Sequence, residues 1–357
     1  MKSYKPIVST FDNEHLFEAY YKNMSSPIKS LDLYKEMLFE KYLIDNPNVY
    51  FSDRSIQTRR FNTYYKKILN GRDESAVGVW VYLPWLKLLV HSVNQEEYIQ
   101  LRTARNRNLI SNDDQIKLYN RTISVIGLSV GLNILTAMVR LGIGNKFIVA
   151  DSDTVSISNF NRSMYSLANL GSPKSSVASE SLLLIDPFLE IKALNEGLMD
   201  EHINDLLKQS AIVIDTFDSF DLKIKLRKAA KKLKVPIISC FDIDKGVLLI
   251  VERYDIESNL DLNYFLNGHS ETEFYKKDIS TKEKTNFFIN VIGKEYHSSD
   301  MLESVSKVGT FLTGYPQLVI STSFAASLLT YAAHEIVLNE SFASMRKFFS
   351  LSEMLGK

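Results

Sequence analysis

Asp151, Asp153, Asn159, Arg162 and Lys174 are packed into one short stretch, ADSDTVSISNFNRSMYSLANLGSPK. Two carboxylates, a carboxamide, a planar guanidinium and an ammonium on a long stem are groups that can hold a sugar hydroxyl and a chain of phosphates. The guanidinium grips phosphate through two parallel N–H bonds, and the ammonium adds a movable point charge. Just upstream, GLSVGL places Gly127, Ser129 and Gly131 where a strand gives way to a helix. The unpaired N–H groups and the dipole at such a helix start favour an anion. A nucleotide is the natural occupant of this combination.

Ile123, Val125 and Ile126 predict a short buried strand, and apolar residues at helical spacing predict a helix over Leu132–Leu141. Gly142 and Gly144 mark its stop before a second strand, Phe147–Ala150. Asp151 follows Gly127 at close to the roughly 20-residue offset at which an acidic side chain meets a ribose hydroxyl in dinucleotide folds. The fingerprint G-x-G-x-x-G is not met, since GLSVGL supplies only Gly127 and Gly131. On these residues alone, a purely structural strand-to-helix turn stays open beside the nucleotide site.

The tail resolves more. ADSDTVSISNFNRS followed by GSPKSS resembles the adenylating family of ThiF, MoeB and the ubiquitin-activating enzymes, with Asp151, Asp153, Val155, Ser158, Asn159, Arg162, Gly171, Pro173 and Lys174 at the matching places. IVIDTFDSFDLKIKLRKAAKKLKVPIIS is similar to that family's strand ending in D-x-T-D-N, followed by a basic helix and another strand. Asp215 and Asp218 stand at its acidic positions, and Phe217 and Ser219 replace Thr and Asn. The resemblance covers about residues 100–250, and QLVISTSFAASLLTYAAHEIVLNE is similar to the family's closing helix. It implies an α/β fold, a Rossmann-like doubly wound, mostly parallel sheet over residues 99–357, preceded by an N-terminal α+β extension at 1–98. The implied reaction is ATP-dependent adenylation of a carboxylate, giving an acyl-adenylate and pyrophosphate. That carboxylate is the C-terminus of a ubiquitin-like protein or peptide, or a small acid.

The demands of that chemistry match the residue types. A carboxylate attacking the α-phosphorus meets a strongly negative triphosphate, so cations and a metal are required. Arg162 and Lys174 supply the cations, and Asp218, at a strand's C-terminal end, is the expected Mg2+ ligand. Asp151 is expected on the ribose, Asp153 near the phosphates and Asn159 orienting them. LRTARNRNLISNDDQ is similar to a shortened form of the family's R-Y-x-R-x-x-L segment, which places Arg107, with Arg102 and Arg105 close by, nearest the arginine that reaches the partner subunit's ATP. A homodimer follows from that carry-over. Cys240 is the single cysteine, so a four-cysteine zinc site and a disulfide framework are excluded by count. At the end of PIISC it reads as a small buried hydrophobe, and no thioester intermediate is expected.

With 357 residues, 45% hydrophobic, and Lys+Arg balancing Asp+Glu at 42 each, the chain has material for a large core and no electrostatic sign of nucleic-acid binding. No stretch reaches the roughly 20 apolar residues of a membrane span, and MKSYKPIVSTFDNEH has no signal-peptide core, so a cytoplasmic location is expected. In the extension, SLDLYKEMLFEKYLIDNP and IQTRRFNTYYKKILNG predict amphipathic helices with an aromatic core and a solvated Arg59–Arg60 pair, and VGVWVYLPWLKLLVHSV predicts two strands about Pro84. About residues 255–308 are polar and predict a crossover or inserted loop over the active site, with His269 and His297 exposed on it. RKAAKKLK, with Arg227, Lys228, Lys231, Lys232 and Lys234, reads as a solvated face. Two other functional classes remain open: a catalytically silent scaffold that keeps the nucleotide fold, and a nicotinamide or flavin oxidoreductase, which leaves the S-N-x-x-R and P-K elements without a role.

Overall fold

The computed structural model describes residues 5–9, 28–275 and 281–356, with Thr281 and Lys282 described by their backbone alone. The chain divides into two compact units: Met1–Asn112 with Arg140–Gly142 and Leu183–Leu189, and Asp113–Val139 with Ile143–Leu182 and Glu190–Lys357.

The first unit carries a four-stranded sheet of β1 (Ile7–Ser9), β2 (Lys29–Asp32), β3 (Val79–Leu83) and β4 (Leu88–Ser92), in the order β1-β3-β4-β2. β3 and β4 form the hairpin about Pro84, while β2 runs parallel to β4. The helices Tyr34–Asp45 and Arg54–Leu69 bury Tyr34, Leu38, Phe61 and Tyr65 in one aromatic core. Arg59 and Arg60 face solvent. The aromatic spacing in this part of the chain therefore serves packing.

The second unit is built on a seven-stranded sheet of β5 (Thr122–Ile126), β6 (Lys146–Ala150), β7 (Glu190–Leu194), β8 (Ile212–Asp215), β9 (Ile237–Ile243), β10 (Gly246–Glu252) and β11 (Met345–Ser350). Its order is β11-β10-β9-β8-β5-β6-β7. The pairings from β7 through β9 are parallel, and those of β10 with β9 and with β11 are antiparallel. From β5 the chain first winds outward through β6 and β7, then returns to the other side of β5 at β8. That reversal makes a Rossmann-like doubly wound sheet and opens a crevice at the C-terminal ends of β5 and β8, where ligands of such sheets bind. The central strands β5, β6 and β8 are largely apolar runs, as parallel strands covered on both faces require, whereas the edge strand β7 is mostly exposed. Ile123, Val125, Phe147, Val149, Ile212, Val213 and Ile214 are all buried.

Two sequence expectations change here. Arg227, read as part of a solvated face, points inward from the helix Phe220–Leu233, while Lys228, Lys231, Lys232 and Lys234 stay exposed. Its guanidinium bonds Asp215 at 2.8 Å, Glu252 at 2.9 Å and Ser239 at 2.8 Å, and lies 3.5 Å from the ring centroid of Phe265. Apolar flanks at helical spacing place Arg227 inside, and the buried carboxylates on β8 and β10 give its charge partners. The polar 255–308 region is also largely helical rather than loop, with helices Leu262–Leu266, Glu271–Phe274, Thr281–Ile292 and Ser299–Ser306. Its sparse apolar residues Phe265, Leu266, Phe287, Val291 and Ile292 join Phe220 and Ile250 in one core cluster. A few large side chains shared among short helices hold it, which leaves no sustained period to read. Residues 276–280 lie outside the described residues. Among the described residues no helix is long and apolar enough to cross a membrane.

Candidate functional site

At the end of β5, Gly127 turns the chain with φ +87°, and a Cβ there would stand 2.5 Å from the Thr216 carbonyl oxygen. The two strand ends therefore meet backbone to backbone, and only glycine fits. Thr216 seals the seam by donating its hydroxyl to the Gly127 carbonyl at 2.7 Å. The next residues are clamped. Leu128 donates its N–H to Asp151 Oδ2 at 2.6 Å and accepts from the Tyr165 hydroxyl at 2.7 Å. The helix Gly131–Leu141 then starts, with the N–H groups of Asn133 and Ile134 bonded to the Val130 carbonyl.

Asp151, at the end of β6, spans this turn and the following one, because its Oδ1 accepts from Asp153 N–H at 2.8 Å. Burial raises its carboxyl above the usual carboxylate range, against the pull of the Asp153 and Leu128 N–H groups and the Lys174 charge. Residues 153–155 then pair with 171–174: Val155 N–H donates to Ser172 O, and Lys174 N–H to Asp153 O at 3.0 Å. This short antiparallel return explains the spacing between the two acidic residues and the P-K element. It delivers Lys174 to the start of the helix Lys174–Leu183, with its ammonium 2.7 Å from Asp153 Oδ2, 3.2 Å from Ser129 Oγ and 4.0 Å from Asp151 Oδ2. Ser129, Asp151, Asp153 and Lys174 are thus one cluster, as the sequence predicted.

Arg162 lies on the same cavity wall. Its carbonyl is gripped by Asn133 Nδ2 at 2.7 Å and by Thr322 Oγ1 at 2.9 Å, and its guanidinium donates to Ser158 O and Asn161 Oδ1. Its Nε is buried with no partner among the described residues. Asn159 spends its carboxamide oxygen on the Ser156 N–H at 3.0 Å, capping the turn that carries Arg162. Across the crevice, Asp215 closes the buried ion cluster with Lys223 and Arg227. Burial pushes its carboxyl up, but the two adjoining cations outweigh that and hold it below the usual range. Asp218, three residues on, is an exposed carboxylate lining the cavity, as are Asp153 and Glu196. Among the described residues no three His, Cys, Asp or Glu side chains converge as a metal-holding group. Arg107 belongs to the first unit, where it pairs with Asp45 at 3.3 Å.

All of the second-unit candidates, Gly127, Ser129, Asp151, Asp153, Asn159, Arg162, Lys174 and Asp218, line one cavity of about 730 Å³, except Gly131, which starts the adjoining helix. The cavity also takes in Lys223, Cys240, Phe241, Asp242, Tyr315 and Gln317, which the sequence reading did not place there, and Phe288 and His297 of the 255–308 segment expected over the site. His297, expected to be exposed, is 7% accessible. Asn133 and Thr322, which fix the Arg162 loop, were also missed. Asn133 had a readable signal, a carboxamide in the midst of the apolar run LNILTAMV. Cys240 is buried on β9, and burial pushes its thiol well above the usual range.

Residues 103–241 match the ThiF family. Over 278 residues the chain is 29% identical to an uncharacterized protein of Mycobacterium tuberculosis, covering 78% of this chain and 38% of that protein. It is 28% identical over 144 residues to the sulfur carrier protein ThiS adenylyltransferase of Escherichia coli, covering 40% of this chain and 57% of the other. The matches thus span less than two thirds of either relative. A solved structure, the E. coli tRNA N6-threonylcarbamoyladenosine dehydratase in complex with AMP, aligns with a TM-score of 0.49 and 17% identity, covering 68% of this chain and 97% of that one.

Proposed function

We propose, given a ThiF-family domain at residues 103–241, that the protein adenylates a carboxylate at the expense of ATP. The observation that carries this reading is the cavity at the β5–β8 crossover, where Lys174 and Arg162 converge with Ser129, Asp151 and the turn into the helix Gly131–Leu141. The residues fit a nucleoside triphosphate. Gly127 brings the β5 turn against the Thr216 backbone with no side chain of its own, and Arg162 Nε is a buried donor without an acceptor among the described residues. Asp218, one of the exposed carboxylates that line the cavity beside Asp153 and Glu196, suits Mg2+, which characteristically takes one or two protein carboxylates and completes its shell with phosphate oxygens and water. When bound, Mg2+ would neutralise charge on the leaving pyrophosphate.

The chain's own residues then have distinct tasks. Asp151 has spare lone pairs on both carboxylate oxygens and accepts from a ribose hydroxyl. Lys174 trades part of its hold on Asp153 and Ser129 for phosphate oxygen, and Arg162 directs its fork to the α-phosphate side, where charge grows as the carboxylate oxygen bonds to phosphorus and the bond to pyrophosphate breaks. No protein nucleophile is required. Cys240, buried and held as the thiol, is not the acceptor of the acyl group, and Cys240→Ser should leave adenylation intact.

The substrate class proposed is the C-terminus of a ubiquitin-like protein or peptide, or a small acid, and the assembly proposed is a homodimer in which Arg107 serves the partner's site. Ile157, Met164, Leu167, Leu170, Leu318 and Val319 are exposed on the second unit, which supports a covering second copy. Light scattering tests the assembly, and mixing Arg107→Ala with Asp218→Ala tests the shared site through recovery of activity. The decisive experiment is Mg2+-dependent ATP–pyrophosphate exchange against Gly-terminated peptides and small acids. Exchange that Asp218→Asn abolishes and Cys240→Ser spares supports the reading. ATP binding with no exchange from any acid would assign a silent scaffold instead, and tighter binding of NAD than of ATP would assign an oxidoreductase.

A further inference from the structure

Two side chains that line the cavity, outside the cluster assigned to the nucleotide, each bury a polar atom with no partner among the described residues. Asp242, on β9, is 9% accessible. Its Oδ1 accepts from Gln317 Nε2 at 3.0 Å, and its Oδ2 has no partner. His297 is 7% accessible, and its Nε2 also has no partner. Its Nδ1 lies 3.0 Å from the Gly293 carbonyl oxygen, which can only accept, so Nδ1 carries the proton. Nε2 is then a bare lone pair, and burial keeps the ring neutral by lowering its affinity for a second proton.

Both orphans are therefore acceptors. A buried acceptor left unmade costs about 1–3 kcal/mol, so two in the lining of one cavity call for donors, supplied by water when the cavity is empty and by a ligand when it is filled. Asp242 sits within the electrostatic reach of Arg162 and Asp218, next to the proposed reaction centre. Phe241 and Phe288, stacked edge to face with centroids 5.6 Å apart, give the same wall an apolar surface. We propose that this wall binds a primary ammonium group on a small organic molecule, which donates to Asp242 Oδ2 and His297 Nε2 while its carbon body lies on the aromatic pair. The inference rests on the adenylation reading for its neighbour, the nucleotide, and names an amine where that reading names only a carboxylate. The amine is carried either by the acid being activated or by a separate acceptor of the acyl group.

The full chain, saturated with ATP and Mg2+, is titrated calorimetrically with the twenty common amino acids, their α-amides and their N-acetyl derivatives. At least one free amine should bind ten times or more tighter than its N-acetyl form. Asp242→Asn, isosteric and still able to accept from Gln317, should lose that preference at least fivefold with ATP affinity within twofold of the parent, and His297→Phe should do the same. Binding of amides assigns the amine to a separate acceptor, and binding of amino acids alone assigns it to the activated acid. The proposal falls if N-acetyl forms bind as well as free amines, if none of the panel binds, or if Asp242→Asn keeps the preference. Amine binding without any pyrophosphate exchange retains the pocket and removes adenylation. Exchange supported equally by N-acetylated acids does the reverse.

Discussion

Two clusters of opposite charge flank β5, one at the end of β6 and one at the end of β8, and they are made of the same residue types. In the first, Lys174 is 4% accessible but its partner Asp153 is 68% accessible. In the second, Asp215, Lys223, Arg227 and Glu252 are all at 1% or less. Every charge of the second cluster has an ion-pair partner inside the protein, and removing any one of them would strand a charge without solvent. The first has one wet carboxylate, so its ammonium can change partners at little cost. Solvent access to one partner, more than the identity of the pair, separates a binding cluster from a structural one.

The largest test of that contrast is Arg227→Met. Removing the cation leaves two buried carboxylates, and unfolding in urea should show a loss of about 3–5 kcal/mol, whereas Lys174→Met should leave the midpoint nearly unchanged. Equal losses would erase the distinction. Next comes Asp218→Asn, expected to slow pyrophosphate exchange by about 10²–10³-fold, some 3–4 kcal/mol of transition-state stabilisation. Stability should hardly move, since the side chain is exposed.

Asp242 extends the comparison to an acid with neither solvent nor counter-ion in contact. Burial pushes its carboxyl up to about 6, with Arg162 and Asp218 acting on it through space and Gln317 and Tyr315 beside it. A raised value means the folded state favours the protonated acid, so this contribution to stability is full below about pH 4 and is lost as pH rises through about 6. Asp242→Asn should therefore stabilise the protein by roughly 2–3 kcal/mol at pH 8 and by much less at pH 5. A gain independent of pH would show that the carboxyl titrates normally. The smallest effect belongs to the open cluster itself: Lys174→Met should weaken ATP binding about tenfold, near 1.4 kcal/mol, by calorimetry.

Much of the nucleotide half was legible because its determinants are local. Gly127, Asp151, Asp153 and Lys174 lie close together in sequence and are joined by turns that the residues themselves specify. The β9 side was not legible, because Asp242, His297 and Gln317 come from separate elements and become neighbours only through the helical packing of 262–306. That packing rests on scattered aromatics with no period. Arg227 was misread because its helix carries a solvated lysine face, and nothing in KLRKAAKKLK marks one cation as facing two acids on distant strands. The four-stranded sheet of the first unit was half visible: the hairpin shows its alternation, whereas KSLD is too short and polar to declare itself.

The grip of Thr322 on the Arg162 carbonyl has a consequence in time. A chain made N-terminus first at about 5–20 residues per second exposes Arg162 well before the helix Val319–Leu338 exists. Until then the Arg162 carbonyl has, of its two side-chain grips, only Asn133. The nascent domain thus assembles its glycine seam and its Lys174 cluster early and gains a correctly set arginine late, so competence for triphosphate trails the appearance of the fold. On the proposed reading, ribosome-bound chains halted before residue 319 should be protease-resistant around β5 and β6 yet poor at retaining ATP.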